Sequence, residues 1–265
     1  MTLVAELMSS PVVTCAADAT LGEVAALLAA RGIHGVVVAG EGGKPVGVVS
    51  DSDLLAGEWL AADDESLATM RSLHARELMS APVATIDAEA DAREAAARLR
   101  AERLSRLVVC SANEAVGVVA TSDLVALLAR TSVARGTVGD VMSHGLVVCR
   151  EETTAGQAAR AMTQRCSRSL VVVAADGRPL GVVTGADLLE LLGADAAERP
   201  VAELMHEPLT ISPRATLREA ADLMLEHVVH RLLVVDDAAG DVMPLGLVST
   251  ADIVAEMAAP GSVWR

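Results

Sequence analysis

The chain alternates between two hydrophobic rhythms, and it does so four times. Apolar residues at helical spacing appear at Leu21, Val24, Ala25 and Leu28, and again at Leu217, Ala220, Ala221 and Met224. A stripe of this kind faces a core. Each stripe gives way to a Val-rich run: Val36-Val37-Val38, Leu107-Val108-Val109, Leu170-Val171-Val172 and Leu232-Leu233-Val234. Such runs predict buried strands. A turn such as Gly40-Glu41-Gly42-Gly43 or Asp176-Gly177 follows, then a second apolar run, Val46 to Val49 or Leu180 to Val183. Two strands joined this way form a hairpin. The chain then enters another helix at Asp53-Leu54-Leu55 and its counterparts, and a short extended piece (Pro11-Val12-Val13 or Pro208-Leu209-Thr210) precedes each unit. The predicted unit is β-α-β-β-α, a mixed α/β (α+β) fold.

The first helix of each unit opens with a matched pair three residues apart: Thr20 with Glu23, Asp91 with Glu94, Thr154 with Gln157, Thr216 with Glu219. The first side chain can accept from a free backbone N–H, and the second can reach back. Two further landmarks repeat. A methionine closes each opening segment, at Met8, Met79, Met142 and Met205, and a glycine stands six residues before an aspartate at Gly47, Gly117, Gly181 and Gly246.

A single unit of this size is marginal alone, and two units face to face bury both sheets. The expected division is therefore a first pair over 1–134, with repeats at about 1–57 and 75–130, and a second pair over 135–265, with repeats at about 138–193 and 201–259. Each pair forms a pseudo-twofold module. The spacer from Gly57 to His74, with Trp59 and the acidic run Asp63-Asp64-Glu65-Ser66, reads as a solvated linker with helical content. The stretch from Thr131 to Thr137 reads as a module boundary.

Composition narrows the function. Of 265 residues 52% are apolar, enough for a sizeable core, and the formal charge is -15. An acidic surface repels a nucleic-acid backbone. With no Tyr, no Phe and only Trp59 and Trp264, base-stacking platforms are nearly absent. Cys15, Cys110, Cys149 and Cys166 form no C-x-x-C pair and read as small buried hydrophobes. No leader peptide is legible at the start, and no apolar run approaches the roughly 18 residues of a membrane span. The expectation is a soluble, cytoplasmic protein with neither nucleic-acid nor membrane partners and no metal.

The glycine–aspartate landmark is a heptapeptide: Gly47-Val48-Val49-Ser50-Asp51-Ser52-Asp53, Gly181-Val182-Val183-Thr184-Gly185-Ala186-Asp187 and Gly246-Leu247-Val248-Ser249-Thr250-Ala251-Asp252. These match the pattern Gly–apolar–x–Ser/Thr–x–x–Asp. With the methionine-closed openings and the order of elements, they make almost the whole chain resemble the cystathionine-β-synthase (CBS) domain family, whose tandem pairs are called Bateman modules. The resemblance implies adenosine-containing ligands (AMP, ADP, ATP or S-adenosylmethionine) in clefts between paired repeats. It also implies regulation of a partner by changed module packing, and homodimers. No cofactor would be obligatory.

The chemistry of the turn fits such a ligand. Free backbone N–H groups and the helix dipole favour an anion. The hydroxyls of Ser50, Thr184 and Ser249 add donors, and the carboxylates of Asp53, Asp187 and Asp252 can accept from two ribose hydroxyls. Gly47, Gly181 and Gly246 permit a close approach. The alternative is that Ser/Thr and Asp merely cap the second helix, and the two roles are compatible. The second copy departs: Ala120 replaces the hydroxyl, Thr121 comes one place late, and Asp123 is left as a cap or a ribose contact. A basic column, Arg106, Arg168 and Arg231 with Gly35 in the first copy, reads as phosphate contacts or as surface ion pairs. Neighbouring His34 and His230 read as structural.

Two further readings stay open: a ligand-free scaffold for protein assembly, and an enzyme. The repeats consume nearly all of the chain and no nucleophile–base pair stands out, so the expectation is a regulatory protein that is not an enzyme.

Overall fold

The computed structural model describes residues 2–60, 64–130, 136–189, 197–236 and 243–258, with side chains left out at 57–60 and 64–67. Residue 63 and the stretch 131–135 lie outside it, as do the side chains of Trp59, Asp64, Glu65 and Ser66, and Trp264. The expected linker and module boundary therefore fall partly outside the described residues.

Four copies of one unit are present. The first is β1 (Thr14–Ala16), α1 (Leu21–Arg31), β2 (Gly35–Ala39), β3 (Pro45–Ser50) and α2 (Asp51–Leu60), followed by α3 (Asp64–Ser72) in the spacer. The second, after the short α4 (Ala75–Leu78), is β4 (Thr85–Asp87), α5 (Ala92–Glu102), β5 (Arg106–Ser111), β6 (Glu114–Ala120) and α6 (Thr121–Arg130). The third, after α7 (Val138–Val141), is β7 (Val148–Cys149), α8 (Ala155–Arg165), β8 (Ser169–Val173), β9 (Pro179–Thr184) and α9 (Gly185–Leu189). The fourth is β10 (Thr210–Ile211), α10 (Leu217–Glu226), β11 (Arg231–Val235), β12 (Pro244–Ser249) and α11 (Thr250–Met257). Each copy makes a three-stranded sheet, parallel between its first two strands and antiparallel between the last two.

The helix starts follow the sequence with one exception. Thr20, Thr154 and Thr216 accept from the N–H three residues on, and Glu23, Gln157 and Glu219 accept from the cap backbone. At α5 the pairing is different. Asp91 takes the Arg93 N–H at 2.8 Å and also holds the Arg93 Nε at 3.2 Å, leaving Glu94 out of the cap.

Every opening segment packs on the neighbouring repeat. Val4 and Ala5 donate their N–H groups to Ala90 and Ala88, and Ser9 bridges Val118 in the second repeat. Ala75 and Ser80 bond Ala19 and Val48 of the first repeat. Val138 and Ser143 bond Ala215 and Leu247 of the fourth, while Val201 and His206 bond Thr153 and Val182 of the third. This exchange explains why methionine and glycine recur together. A Cβ on Gly181 would lie 2.7 Å from Met205 Sδ, and one on Gly47 would overlap the side chain of Met79. The close approach that glycine allows is taken by the leader of the neighbouring repeat.

By contacts the chain divides into two compact units: Met1–Val12, Ala84–Leu146 and Leu209–Arg265 in one, Val13–Val83 and Val147–Pro208 in the other. The contiguous stretches 1–134 and 135–265 are thus not the compact units, because helices of alternate repeats pack together. In the first unit α5 and α6 pack on α11 and α10, around buried Leu99, Leu124, Met224 and Ile253. In the other, α2 packs on α8 and α9, with Leu55 among Ala158, Met162 and Leu188. Fully burying one such leucine stabilises by roughly 1.5–3 kcal/mol.

The cysteines depart from expectation. Cys15, Cys110 and Cys149 are half-buried, with thiols that desolvation holds above their ordinary pKa. Cys166 is exposed and left-handed (φ 50°), closing α8 at the position where glycine is favoured.

Candidate functional site: the four strand-to-helix turns

Each turn sits where the last strand of a repeat runs into its last helix. The strand positions the Ser or Thr at its end, and the helix places the Asp in its first turn. In the first repeat, Ser50 donates from its N–H and its Oγ to Asp53 Oδ2 at 2.8 and 2.6 Å, and the Asp53 N–H returns to Ser50 Oγ at 3.3 Å. In the fourth, Ser249 and Asp252 repeat this at 2.8, 2.6 and 3.4 Å. In the third, Thr184 N–H and Oγ1 both donate to Asp187 Oδ2 at 2.7 Å.

The capping role read from the sequence is therefore real, and it uses one carboxylate oxygen. The other oxygens of Asp53 and Asp252 take no hydrogen bond among the described residues. Asp187 differs, because its Oδ1 is 2.9 Å from Nε2 of His206.

The second turn is weaker. Ala120 gives Asp123 only its backbone N–H, at 2.7 Å. Burial pushes the Asp123 carboxyl up, and that single bond offsets it only in part. Thr121 does not replace the missing donor. It is 6% exposed, and its Oγ1 is 2.9 Å from Oγ1 of Thr250. Both hydroxyls sit at the first position of their helices, α6 and α11, facing each other instead of the turn.

The basic column needs a correction. Strand register places Gly35 opposite Ser50, Arg106 opposite Ala120 and Arg231 opposite Ser249. In the third repeat the residue opposite Thr184 is Ser169. Arg168 stands one place earlier, where its carbonyl accepts from Gly185 N–H as those of His34, Ser105 and His230 accept in their repeats. Ser169 is 1% exposed, and its Oγ makes no hydrogen bond among the described residues.

A family model described as "CBS domain" matches at residues 4–58, 75–130, 138–194 and 201–259. The chain belongs to the CBS domain family. The four matched stretches are the four structural repeats. An uncharacterized protein of Methanocaldococcus jannaschii is 24% identical over 251 residues, which span 88% of this chain and 57% of that protein. A homoserine O-acetyltransferase of Methanohalophilus mahii is 34% identical over 101 residues, 38% of this chain and 21% of the enzyme. The chain thus spans little more than half of the first relative and about a fifth of the second. Among solved structures, a Methanocaldococcus jannaschii protein proposed as an archaeal homologue of γ-AMPK superposes with a TM-score of 0.86 at 19% identity, covering 96% of this chain and 99% of that one. At that identity the likeness is one of fold.

Within the CBS repeats, the structure joins Ser50 with Asp53, Thr184 with Asp187 and Ser249 with Asp252 as the spacing predicts. It adds His206 and Ser169, which the sequence reading passed over. The signal for Ser169 was the extra residue between Arg168 and Leu170 relative to the Arg106-Leu107 step. The signal for His206 was its place after the leader methionine, where the other copies have Ser9, Ser80 and Ser143. Among the described residues no group of three or more His, Cys, Asp or Glu is placed to hold a metal ion, and no helix is long and apolar enough to cross a membrane.

Proposed function

We propose that this CBS protein is a regulatory binding protein for an adenosine-containing ligand, AMP, ADP, ATP or S-adenosylmethionine, with no catalytic activity of its own. The observation that carries the reading is the half-used carboxylate of Asp53 and Asp252. One oxygen is fixed by the turn, which holds the side chain still, and the other remains as an acceptor for a ribose hydroxyl. Ser50, Ser249 and the backbone N–H groups beside them supply donors to the ligand's polar tail, with Arg231 next to the fourth turn for a phosphate. Gly47, Gly181 and Gly246 serve by seating the neighbouring leader, which makes each turn part of a two-repeat assembly.

The exchange of leaders between the first and second repeats, and between the third and fourth, supports signalling modules over 1–134 and 135–265. A ligand that binds one arrangement of these elements more tightly shifts the population toward it, and a partner surface changes with it. We place the protein in the cytoplasm as a homodimer, acting on a protein target and not on nucleic acid or membrane.

Differential scanning with AMP, ADP, ATP and S-adenosylmethionine tests this. A ligand at 100 times its Kd stabilises the folded state by about 2.7 kcal/mol. Absence of any shift with all four overturns the reading.

The second turn favours a rival. With Ala120 in place, that turn lacks the hydroxyl donor and its Asp123 serves as a cap or a ribose contact, and a scaffold in which all four turns are only caps has the same architecture. Asp252→Ala separates the two: a scaffold loses a little stability, whereas a sensor also loses its response to ligand.

A further inference from the structure

The third turn is unlike the other three in two ways that meet on one strand pair. Its Asp187 has both oxygens engaged, Oδ2 by Thr184 and Oδ1 by the His206 imidazole at 2.9 Å. Directly across from Thr184 stands Ser169. Residues opposite each other on antiparallel strands project to the same face, with Cβ atoms roughly 5 Å apart. The buried, unpartnered Ser169 Oγ therefore lies beside the Thr184–Asp187 pair. A buried hydroxyl without a partner is costly, and native structures rarely leave one without a use.

His206 reaches this place through backbone alone. Its N–H donates to Val182 O at 3.0 Å, and it accepts from Val182 N–H at 2.9 Å. Among the described residues the ring has no other hydrogen-bond partner, and 72% of its side chain is exposed. It is thus a displaceable group lying on the one acceptor that a ligand would need.

We propose that His206 guards the third turn. A ribose that engages Asp187 Oδ1 must first displace the imidazole. The third turn then takes its ligand at a higher concentration than it would with Asp187 Oδ1 left open. This rests on the adenosyl-ligand reading above. An exposed pair of this kind is weak, so the guard raises the local Kd by up to about fivefold.

The test is a titration with AMP followed by amide NMR at Ser50, Thr184 and Ser249, in the native chain and in His206→Ser. Serine is the residue that the other three leaders carry at this position, and the bridge to Val182 uses only backbone, so the variant keeps its fold. The expected result is that the Thr184 amide reaches half-saturation at a two- to fivefold lower AMP concentration in His206→Ser, with Ser50 and Ser249 unchanged. Equal Thr184 midpoints in the two proteins overturn the guard. So does a Thr184 amide that stays silent in both while Ser50 and Ser249 respond, and either outcome leaves the ligand reading intact. If no amide responds to AMP in either protein, the titration is repeated with ADP, ATP and S-adenosylmethionine, and silence with all four overturns both readings.

Discussion

The second and fourth CBS repeats lie in one compact unit and carry the same seven-residue turn, yet only one of the turns is complete. Ser249 gives Asp252 two donors on one oxygen; Ala120 gives Asp123 one. Desolvation holds the half-buried Asp123 carboxyl above its ordinary pKa, with the Ala120 N–H offsetting it only in part, while the structural part of the turn survives, because the backbone N–H and the helix still fit. The comparison shows that the cap survives the loss of one of its donors. A turn can lose its side-chain hydroxyl and still fold.

The largest effect should come from the glycines that seat the leaders. A Cβ at Gly246 would overlap the Ser143 carbonyl, which is backbone and paired to Leu247, whereas one at Gly117 first meets the Met8 thioether at 2.6 Å, with Ser9 O at 2.9 Å. A thioether can rotate away more easily than a paired carbonyl. Gly246→Ala should lower unfolding stability by about 3 kcal/mol and Gly117→Ala by about 1–2 kcal/mol, near the ends of the range for overpacking. Urea denaturation measures both. Equal losses would mean that both leaders yield alike.

Next comes the buried Thr121–Thr250 hydroxyl pair. Thr250→Val keeps the shape and strands the Thr121 hydroxyl, costing about 1–3 kcal/mol. The double variant Thr121→Val with Thr250→Val should recover most of that loss, since neither hydroxyl then lacks a partner. A double-mutant cycle with no coupling would remove this link between the two helix starts.

These particulars also show what the sequence could reveal. The caps at Thr20, Thr154 and Thr216 and the turns at Ser50, Thr184 and Ser249 were legible because both partners lie three residues apart, and local spacing fixes local geometry. The Glu94 expectation failed for the same reason in reverse, since Arg93 was nearer. The exchange of leaders, the packing of α5 on α11 and the His206–Asp187 contact join residues far apart in the chain, and periodicity carries no information about which apolar face meets which. Arg168 falls one place off the arginine column because strand register pairs Ser169, and not Arg168, with Thr184.

A third, smaller contrast concerns the aspartates themselves. Asp252→Ala removes the acceptor for two donors of Ser249 and should cost about 1 kcal/mol, as loss of a helix cap does. Asp123→Ala removes a carboxyl that is poorly satisfied where it stands and should stay within about 0.5 kcal/mol of the native chain. Thermal melts of the two variants compare them directly, and a larger loss at Asp123 would contradict the view that its turn is the weaker one.

The last effect has the opposite sign. Ala120→Ser gives the second turn the hydroxyl that the fourth has, and the new donor favours the charged form of Asp123. In the native chain the folded-state pKa of Asp123 lies above the unfolded value, so the folded state binds this proton more tightly. Its contribution to stability is then favourable at low pH, declines as pH rises from the ordinary carboxylate range through the raised value, and stays unfavourable above it. The added hydroxyl lowers the folded pKa toward the ordinary value. Its gain, about 0.5–1.5 kcal/mol for one hydrogen bond, should therefore be full at neutral pH and shrink as Asp123 becomes protonated. Stability curves of the two proteins should separate above that window and converge below it. A constant offset at every pH would show that the serine acts through the chain around it and not through the Asp123 carboxylate, and the difference between the two turns would then lie in their packing instead of one missing donor.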